Sequence, residues 1–329
     1  MVRPFKKDIN FLSKRRIFFV VSLVLVLASV GALLFGGRGL VYGGSGLNFG
    51  IEFVGGTSID FSNTGDITTE EMRSAFMNAG SDAPIVQTTL AANGEAGFVV
   101  RTAETDAAAA SALADAVAAD LGLEQGSFQV TTIGPGWGAE VTRTSLIAFL
   151  VAIALIILYI AIRFEYKMGL VAVLGLIHDL VIIIGIYALL GREVTPNVIA
   201  ALLTIMGYSL YDTVVVFHRI KDNSNATSRH SFMTVSNHSI NQVLMRSINT
   251  TTTSLVPVLA MLFFGGETLR DFAFAMAFGL VLGSYSSLFI ATPLYALWRQ
   301  REPKHKKLFE KYGDGVGVFT AADNLGESK

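Results

Sequence analysis

The sequence predicts an α-helical membrane protein of six transmembrane helices, with one α+β domain inserted between the first two. Three observations predict it. Of 329 residues, 52% are hydrophobic and only 16% are charged, and the mean hydropathy of +0.53 is too apolar for an ordinary soluble chain. Six runs approach the roughly 20 apolar residues that cross a bilayer core. The basic residues are sorted to one side of those runs, although 25 Lys and Arg against 26 Asp and Glu nearly cancel overall.

The expected spans are 17–35, 144–162, 168–190, 197–217, 240–264 and 272–297. The first follows basic residues, as a signal peptide would. Its uncharged stretch is longer than the usual apolar region of a cleavable signal, and no small-x-small site follows, so a retained anchor is expected. Residues 1–16, a loop at 218–239 and a tail at 298–329 are then expected in the cytoplasm. Nineteen of the 25 Lys and Arg fall in these segments, in the short 163–167 turn or at the cytoplasmic entrance of the fifth span, which is the positive-inside pattern. The two short outer turns carry one each, Arg192 and Arg270. Localisation to a cell inner or plasma membrane with both termini cytoplasmic follows.

The long insertion, 36–143, carries 13 acidic residues and four arginines, which suits a solvated domain facing away from the anionic inner leaflet. Short β-branched runs bounded by Gly, Asn or Pro predict strands at Gly55–Phe61, Pro84–Leu90, Gly97–Thr102 and Ser127–Ile133. Thr68 and Glu71 form a capping box that opens a helix over Thr69–Ala79, closed by Gly80. Alanine-rich Thr105–Leu121, closed by Gly122, is the second helix. The order β-α-β-β-α-β is that of a ferredoxin-like split sandwich. No His, Cys or Ser–His pairing there offers a nucleophile, so a binding or mechanical role is expected. With no cysteine in the chain, disulfide and thiolate chemistry are excluded.

Ionisable groups inside spans are functional candidates, since each costs about 2.5–3.5 kcal/mol at a helix centre on the insertion scale. Four stand out: His178 and Asp179 in the third span, Asp212 in the fourth and Arg246 at the start of the fifth. At 1.5 Å per residue, Asp212 lies about 8 Å and Arg246 about 9 Å from the cytoplasmic ends of their helices, and Asp179 about one turn deeper. The matched depths make Asp212 and Arg246 a candidate pair, with Arg219 as a rival partner. Arg246, Asn249, Thr250 and Thr253 recur at one-face spacing, and Tyr208 and Ser209 share the Asp212 face, a supporting polar stripe able to hold water. The alternative is that the hydroxyls bond their own helix or ease close packing. His218 is expected at the membrane edge. His230 and His238 fall in the loop without carboxylates at ligand spacing, so no metal is expected, nor any other cofactor. Gly279 and Gly283 make a GxxxG packing signal.

Five stretches carry a resemblance to a known family: "LNFGIEFVGGTSIDF" (Leu47–Phe61), "GPGWGAEV" (Gly134–Val141), "RFEYKMGLVAVLGLIHDLVIIIGIYAL" (Arg163–Leu189), "GYSLYDTVVVFHRIKDN" (Gly207–Asn223) and "FFGGETLRDFAFAMAFGLVLGSYSS" (Phe263–Ser287). In this order and spacing they resemble the SecF family, the smaller partner in SecD–SecF protein export, within the resistance-nodulation-division superfamily. The resemblance implies a SecD partner, association with the SecYEG translocon, a translocating polypeptide and protons as the driving ion. It places the family's intramembrane aspartate and arginine on Asp212 and Arg246, and its His-Asp pair on His178 and Asp179. Three positions depart from the family pattern: Tyr211 replaces an Asn, His218 an Asp and Glu52 an Asp.

The expected mechanism has Asp212 alternate between a protonated form and a carboxylate paired with Arg246, biasing movement of the outer domain. Burial favours the neutral carboxyl and a nearby guanidinium favours the charged one, so a helix shift loads or releases a proton. One alternative is a proton-driven exporter of lipids or small hydrophobic molecules. Another is a non-conducting scaffold of the translocon. Neither an enzyme nor a nucleic-acid partner is expected.

Overall fold

The computed structural model describes residues 8–35, 46–82, 84–90, 96–124, 126–226 and 230–313. The basic residues Arg3, Lys6, Lys7 and Arg229, and the tail beyond 313, fall outside the described residues.

Among the described residues, six helices are long and apolar enough to cross a membrane. They are α1 (Arg15–Phe35), preceded by a 3-10 turn at Leu12–Lys14, then α5 (Pro135–Arg163), α6 (Tyr166–Leu190), α7 (Pro196–Ala226), α8 (Phe232–Phe264) and α9 (Gly266–Ser286). A π-helical turn (Ser287–Ala291) carries α9 into α10 (Thr292–Gln300), and α11 (Pro303–Tyr312) follows. The turn has a local cause: Pro293 lacks an N–H and its ring crowds the carbonyl four residues back, so the helical ladder widens just before it.

Between α1 and α5 lies the α+β domain: β1 (Asn48–Phe49), α2 (Ile51–Val54), β2 (Gly56–Phe61), α3 (Thr69–Asn78), β3 (Ile85–Leu90), β4 (Ala96–Thr102), α4 (Ala107–Asp120) and β5 (Phe128–Ile133). Its four-stranded sheet runs β3-β4-β2-β5 and is antiparallel throughout. That is the strand order the β-α-β-β-α-β reading requires. The Thr68–Glu71 capping box forms, with the Glu71 carboxylate accepting from Thr68 N at 2.8 Å. The second helix starts later than Thr105, because Asp106 accepts from Ala108 N and Ala109 N and so caps it. Ile59, Phe61, Met72, Phe76, Val100 and Val117 form the domain core.

The helices outrun the apolar segments that signalled them. Helix α5 starts at Pro135, nine residues before 144, with proline in the first turn where its missing N–H costs nothing. The 218–239 segment, expected as a loop, is helical at both ends: α7 runs to Ala226 and α8 begins at Phe232, capped by the Ser231 hydroxyl bonding Thr234 N. No Gly or Pro interrupts 218–226, so the helix continues past the apolar run. The start of α8, from Phe232 to Ile240, is buried. The N-terminal segment covers part of it: Asn237 and Asn241 accept from the backbone N–H groups of Phe11 and Ile9, and His238 meets Asp8.

Two further cores hold the bundle, one around Met168, Phe217, Phe232, Ile240 and Tyr295, the other around Ile183, Val198, Ile205, Ala273 and Met276. Small residues let helices approach. A Cβ on Gly279 would lie 2.3 Å from Ile205 Cδ1, and one on Gly283 would lie 3.0 Å from Ser209 Cβ, so the GxxxG face of α9 presses onto α7. On the other side of the bundle, Gly185 of α6 gives the same close approach to Ser29 of α1. Helix α5 leaves most of its apolar side chains exposed, among them Leu146, Leu150 and Leu155, as a surface facing lipid or another protein does.

Candidate functional site

Two buried polar clusters form where α6, α7, α8 and α9 meet. The first centres on Asp179, which is 1% exposed. Its Oδ2 accepts from Ser209 Oγ at 2.6 Å and from Ser286 Oγ at 2.8 Å, and its Oδ1 lies 2.9 Å from His178 Nδ1. With Nδ1 donating to the carboxylate, Nε2 of a neutral ring accepts from Ser22 Oγ, 2.6 Å away on α1. Four helices therefore converge on one carboxylate and its neighbouring imidazole. Ser287 Oγ adds a bond to the Ser209 carbonyl at 3.1 Å and lies 2.8 Å from Thr213 Oγ1.

The second cluster centres on Asp212, three residues beyond Ser209 and on the same face of α7. It is half-buried. Ser247 of α8 donates to its Oδ2 at 2.6 Å, and the Ser247 hydroxyl lies 2.8 Å from that of Ser284 on α9. A narrow cleft of about 10 Å³, lined by Tyr208, Ser209, Asp212, Thr250, Gly283 and Ser284, lies beside the carboxylate.

Arg246 is adjacent to this cluster but turned from its carboxylate. Its Nη2 bonds the Tyr211 hydroxyl, and its guanidinium carbon sits 5.5 Å from the centroid of the Tyr211 ring. Asp212 and Arg246 are thus brought together on facing helices, each holding a different partner. The rival Arg219 is occupied elsewhere, its Nε bonding Gln242 Oε1.

The supporting stripe divides. Thr250 lines the cleft, whereas Asn249 is exposed and Thr253 is turned back onto its own helix, bonding the Asn249 and Thr250 carbonyls at 2.8 and 3.0 Å. Tyr208 joins the cleft and Ser209 belongs to the Asp179 cluster. His218 is exposed and pairs with Asp222 at 3.0 Å.

The serines were missed. Ser286 and Ser247 donate directly to the two carboxylates, while Ser22 meets His178 and Ser284 meets Ser247, yet none stood out as a site residue. Their signal is present: "GSYSS" at Gly283–Ser287 concentrates hydroxyls in an apolar span, and Ser22 and Ser29 are the polar positions of the first. A serine is common enough in membrane helices for packing alone that such a signal carries little weight without its partner.

The comparisons agree with one another. The family described as "Protein export membrane protein SecD/SecF, C-terminal" matches residues 115–301. A protein translocase subunit SecF from Endomicrobium trichonymphae is 34% identical over 94% of this chain and 97% of its own. One from Streptomyces coelicolor is 34% identical over 91% of this chain and 79% of its own. A crystal structure of SecDF, a translocon-associated membrane protein from Thermus thermophilus, superposes with a TM-score of 0.77 at 31% identity. It covers 90% of this chain, which spans 39% of that longer one. Sequence and fold agree on a single assignment: the chain belongs to the SecD/SecF protein-export family, as a SecF.

Proposed function

We propose that this chain couples the proton gradient to protein translocation, with Asp212 as the group that gains and loses the proton. In this reading the α+β domain faces the outside of an inner or plasma membrane and both termini lie in the cytoplasm. A SecD-type chain completes the bundle, and the pair works beside the SecYEG channel on the emerging polypeptide. The carrying observation is the contrast within one site: a half-buried carboxylate at membrane depth accepts from the Ser247 hydroxyl, while a guanidinium on the facing helix is engaged by Tyr211.

The arrangement supports a two-state cycle. When Asp212 is charged, a small displacement of α8 along α7 lets Arg246 exchange the Tyr211 hydroxyl for the carboxylate. Protonation removes the attraction and returns Arg246 to Tyr211. Ser247 serves both states, since its hydroxyl donates to a carboxylate and accepts from a carboxylic acid. One charge moved through 100 mV supplies about 2.3 kcal/mol. That biases an equilibrium between domain positions without making it one-sided. His178 and Asp179 stand one layer away, joined to the Asp212 helix through Ser209, and complete the relay.

Asp212→Asn tests the reading in inverted membrane vesicles that contain the full complex. Export stimulated by an imposed proton gradient is expected to fall to its level without a gradient, while export measured without one is unchanged. Full gradient stimulation in the variant would overturn the assignment.

A further inference from the structure

The outer domain meets the bundle away from the proton site, through α2 packed on the start of α5, where Gly138 lies against the Phe53 carbonyl, and through a strand pairing. Strand β6 (Glu193–Val194) lies in the short connection between α6 and α7 and pairs in parallel with β1, Asn48 opposite Glu193 and Phe49 opposite Val194. Gly50 N donates to the Val194 carbonyl at 3.0 Å and Asn48 Nδ2 to the Gly191 carbonyl at 2.9 Å. The rim around β6 is itself tied together. Arg192 holds Asp271 at 2.7 Å, and the Tyr187 hydroxyl donates to the Asp271 carbonyl at 2.6 Å, joining the end of α6 to the start of α9.

The domain sheet has one face on its helices and one on this rim. Ser58, Asp60, Val99, Arg101 and Thr131 of the rim-facing side roof a cavity of about 710 Å³, whose floor includes Arg192, Glu193 and Asp271. Across it, the Arg101 guanidinium of β4 meets the Glu193 carboxylate of β6, with side chains 18% and 2% exposed. Burial pushes the neighbouring Asp60 carboxyl up from its ordinary range, with Arg101 opposing that rise. Arg101 therefore stands between a carboxylate of its own sheet and one of the bundle.

A buried ion pair is a poor source of stability, because desolvation offsets the attraction, but it strongly opposes separation, which would leave a buried charge uncompensated. Packed apolar surfaces slide more readily. Glu193 also sits on the connection between the helix that carries Asp179 and the helix that carries Asp212.

We propose that Arg101 and Glu193 form the coupling point through which movement of the α6–α7 hairpin is delivered to the outer domain. The inference rests on the proposed role of Asp212 for the origin of the movement, and on the β6 geometry for its route. Arg101 and Glu193 act as positioning residues: neither touches the proton. Strand pairing of β1 with β6 sets the direction of the connection, and the ion pair keeps the sheet from lagging behind it.

The chain has no native cysteine, so a spin-label pair can be introduced cleanly at exposed Met77 on α3 and exposed Phe264 at the end of α8. Distance distributions are recorded in the full complex in vesicles, beside gradient-stimulated export. Glu193→Gln is expected to broaden the distribution and to reduce gradient-stimulated export several-fold, with export in the absence of a gradient unchanged. The reversed pair Arg101→Glu with Glu193→Arg is expected to restore both. Should the reversed pair fail to fold, Arg101→Lys, which keeps the charge, is expected to retain a narrow distribution. A distribution as narrow in Glu193→Gln as in the unsubstituted chain, or one that broadens while export keeps its full gradient stimulation, overturns the proposal. Failure of the Asp212 reading is separate: Asp212→Asn would then keep its full gradient stimulation, while Glu193→Gln would still lose both the stimulation and the narrow distribution.

Discussion

Asp179 and Asp212 are both intramembrane aspartates, one turn apart in depth and joined through Ser209, yet their surroundings differ in kind. Asp179 is enclosed, and both its oxygens are engaged by groups from α6, α7 and α9. Asp212 is half-buried and meets hydroxyls, Ser247 directly and Ser284 beside it, with a narrow cleft on one side and an arginine engaged by Tyr211 nearby. A fully satisfied buried carboxylate locks the helices that satisfy it, since moving any of them strands a polar group. A half-buried one held by serine hydroxyls, which can donate or accept, can change its proton and its partner without dismantling the bundle. In the proposed mechanism this difference makes Asp179 the fixed end and Asp212 the moving end.

The sharpest way to break this comparison is to truncate Asp179. Asp179→Ala leaves His178, Ser209 and Ser286 without their acceptor and is expected to cost about 3 kcal/mol, read as a lowered melting temperature and yield of the detergent-solubilised complex. Asp212→Ala is expected to cost less than about 1 kcal/mol by the same measurement, since a single membrane hydrogen bond averages about 0.6 kcal/mol. Equal losses at both positions would erase the distinction.

Packing supplies the next test. Gly279→Ala drives a methyl against Ile205, where Cδ1, Cγ1 and Cγ2 lie 2.3, 2.5 and 2.8 Å from the added Cβ, and is expected to destabilise by about 1–3 kcal/mol through overpacking. Because the same helix face carries Ser286 to Asp179, protection of the α7 amides around Ser209 against hydrogen exchange should fall with it. Unchanged exchange there would show that the Asp179 cluster does not depend on the α7–α9 approach.

The smallest effect is expected at Ser247. Ser247→Ala removes the donor to Asp212 and should change the melting temperature little, at about 0.6 kcal/mol, while displacing the pH midpoint of gradient-stimulated export. A large stability loss with an unmoved midpoint would place Ser247 with the structural hydroxyls of the Asp179 cluster.

Legibility differed between fold and site for reasons visible in particular residues. The Thr68–Glu71 capping box and the closing Gly80 and Gly122 are signals confined to a few neighbouring residues, and they located the ends of α3 and α4 closely. The apolar runs located the spans but understated the helices, because hydropathy reports lipid contact whereas the helical ladder runs on through Asn223 in α7 and starts at a Phe232 buried against the rest of the chain in α8. At the site, Asp212 and Arg246 were legible as costly charges at matched depth. Their partners were not: Ser247 and Ser284 are unremarkable by composition, Tyr211 stood out only as a departure from the family pattern, and their roles depend on how α7, α8 and α9 are rotated about their axes.

What the sequence by itself determined is whatever one segment decides alone: six membrane-length helices, the β-α-β-β-α-β order of the inserted domain, and four ionisable residues at membrane depth that need a reason to be there. Only the tertiary structure decided which hydroxyl serves which carboxylate, that Arg246 rests on Tyr211, and that Arg101 meets Glu193 nearly a hundred residues away. The reason is geometric. Burial cost and helical period are properties of a short stretch, but a hydrogen bond needs two groups within about 3 Å, and that distance is set by the packing of segments that the chain separates by tens to hundreds of residues.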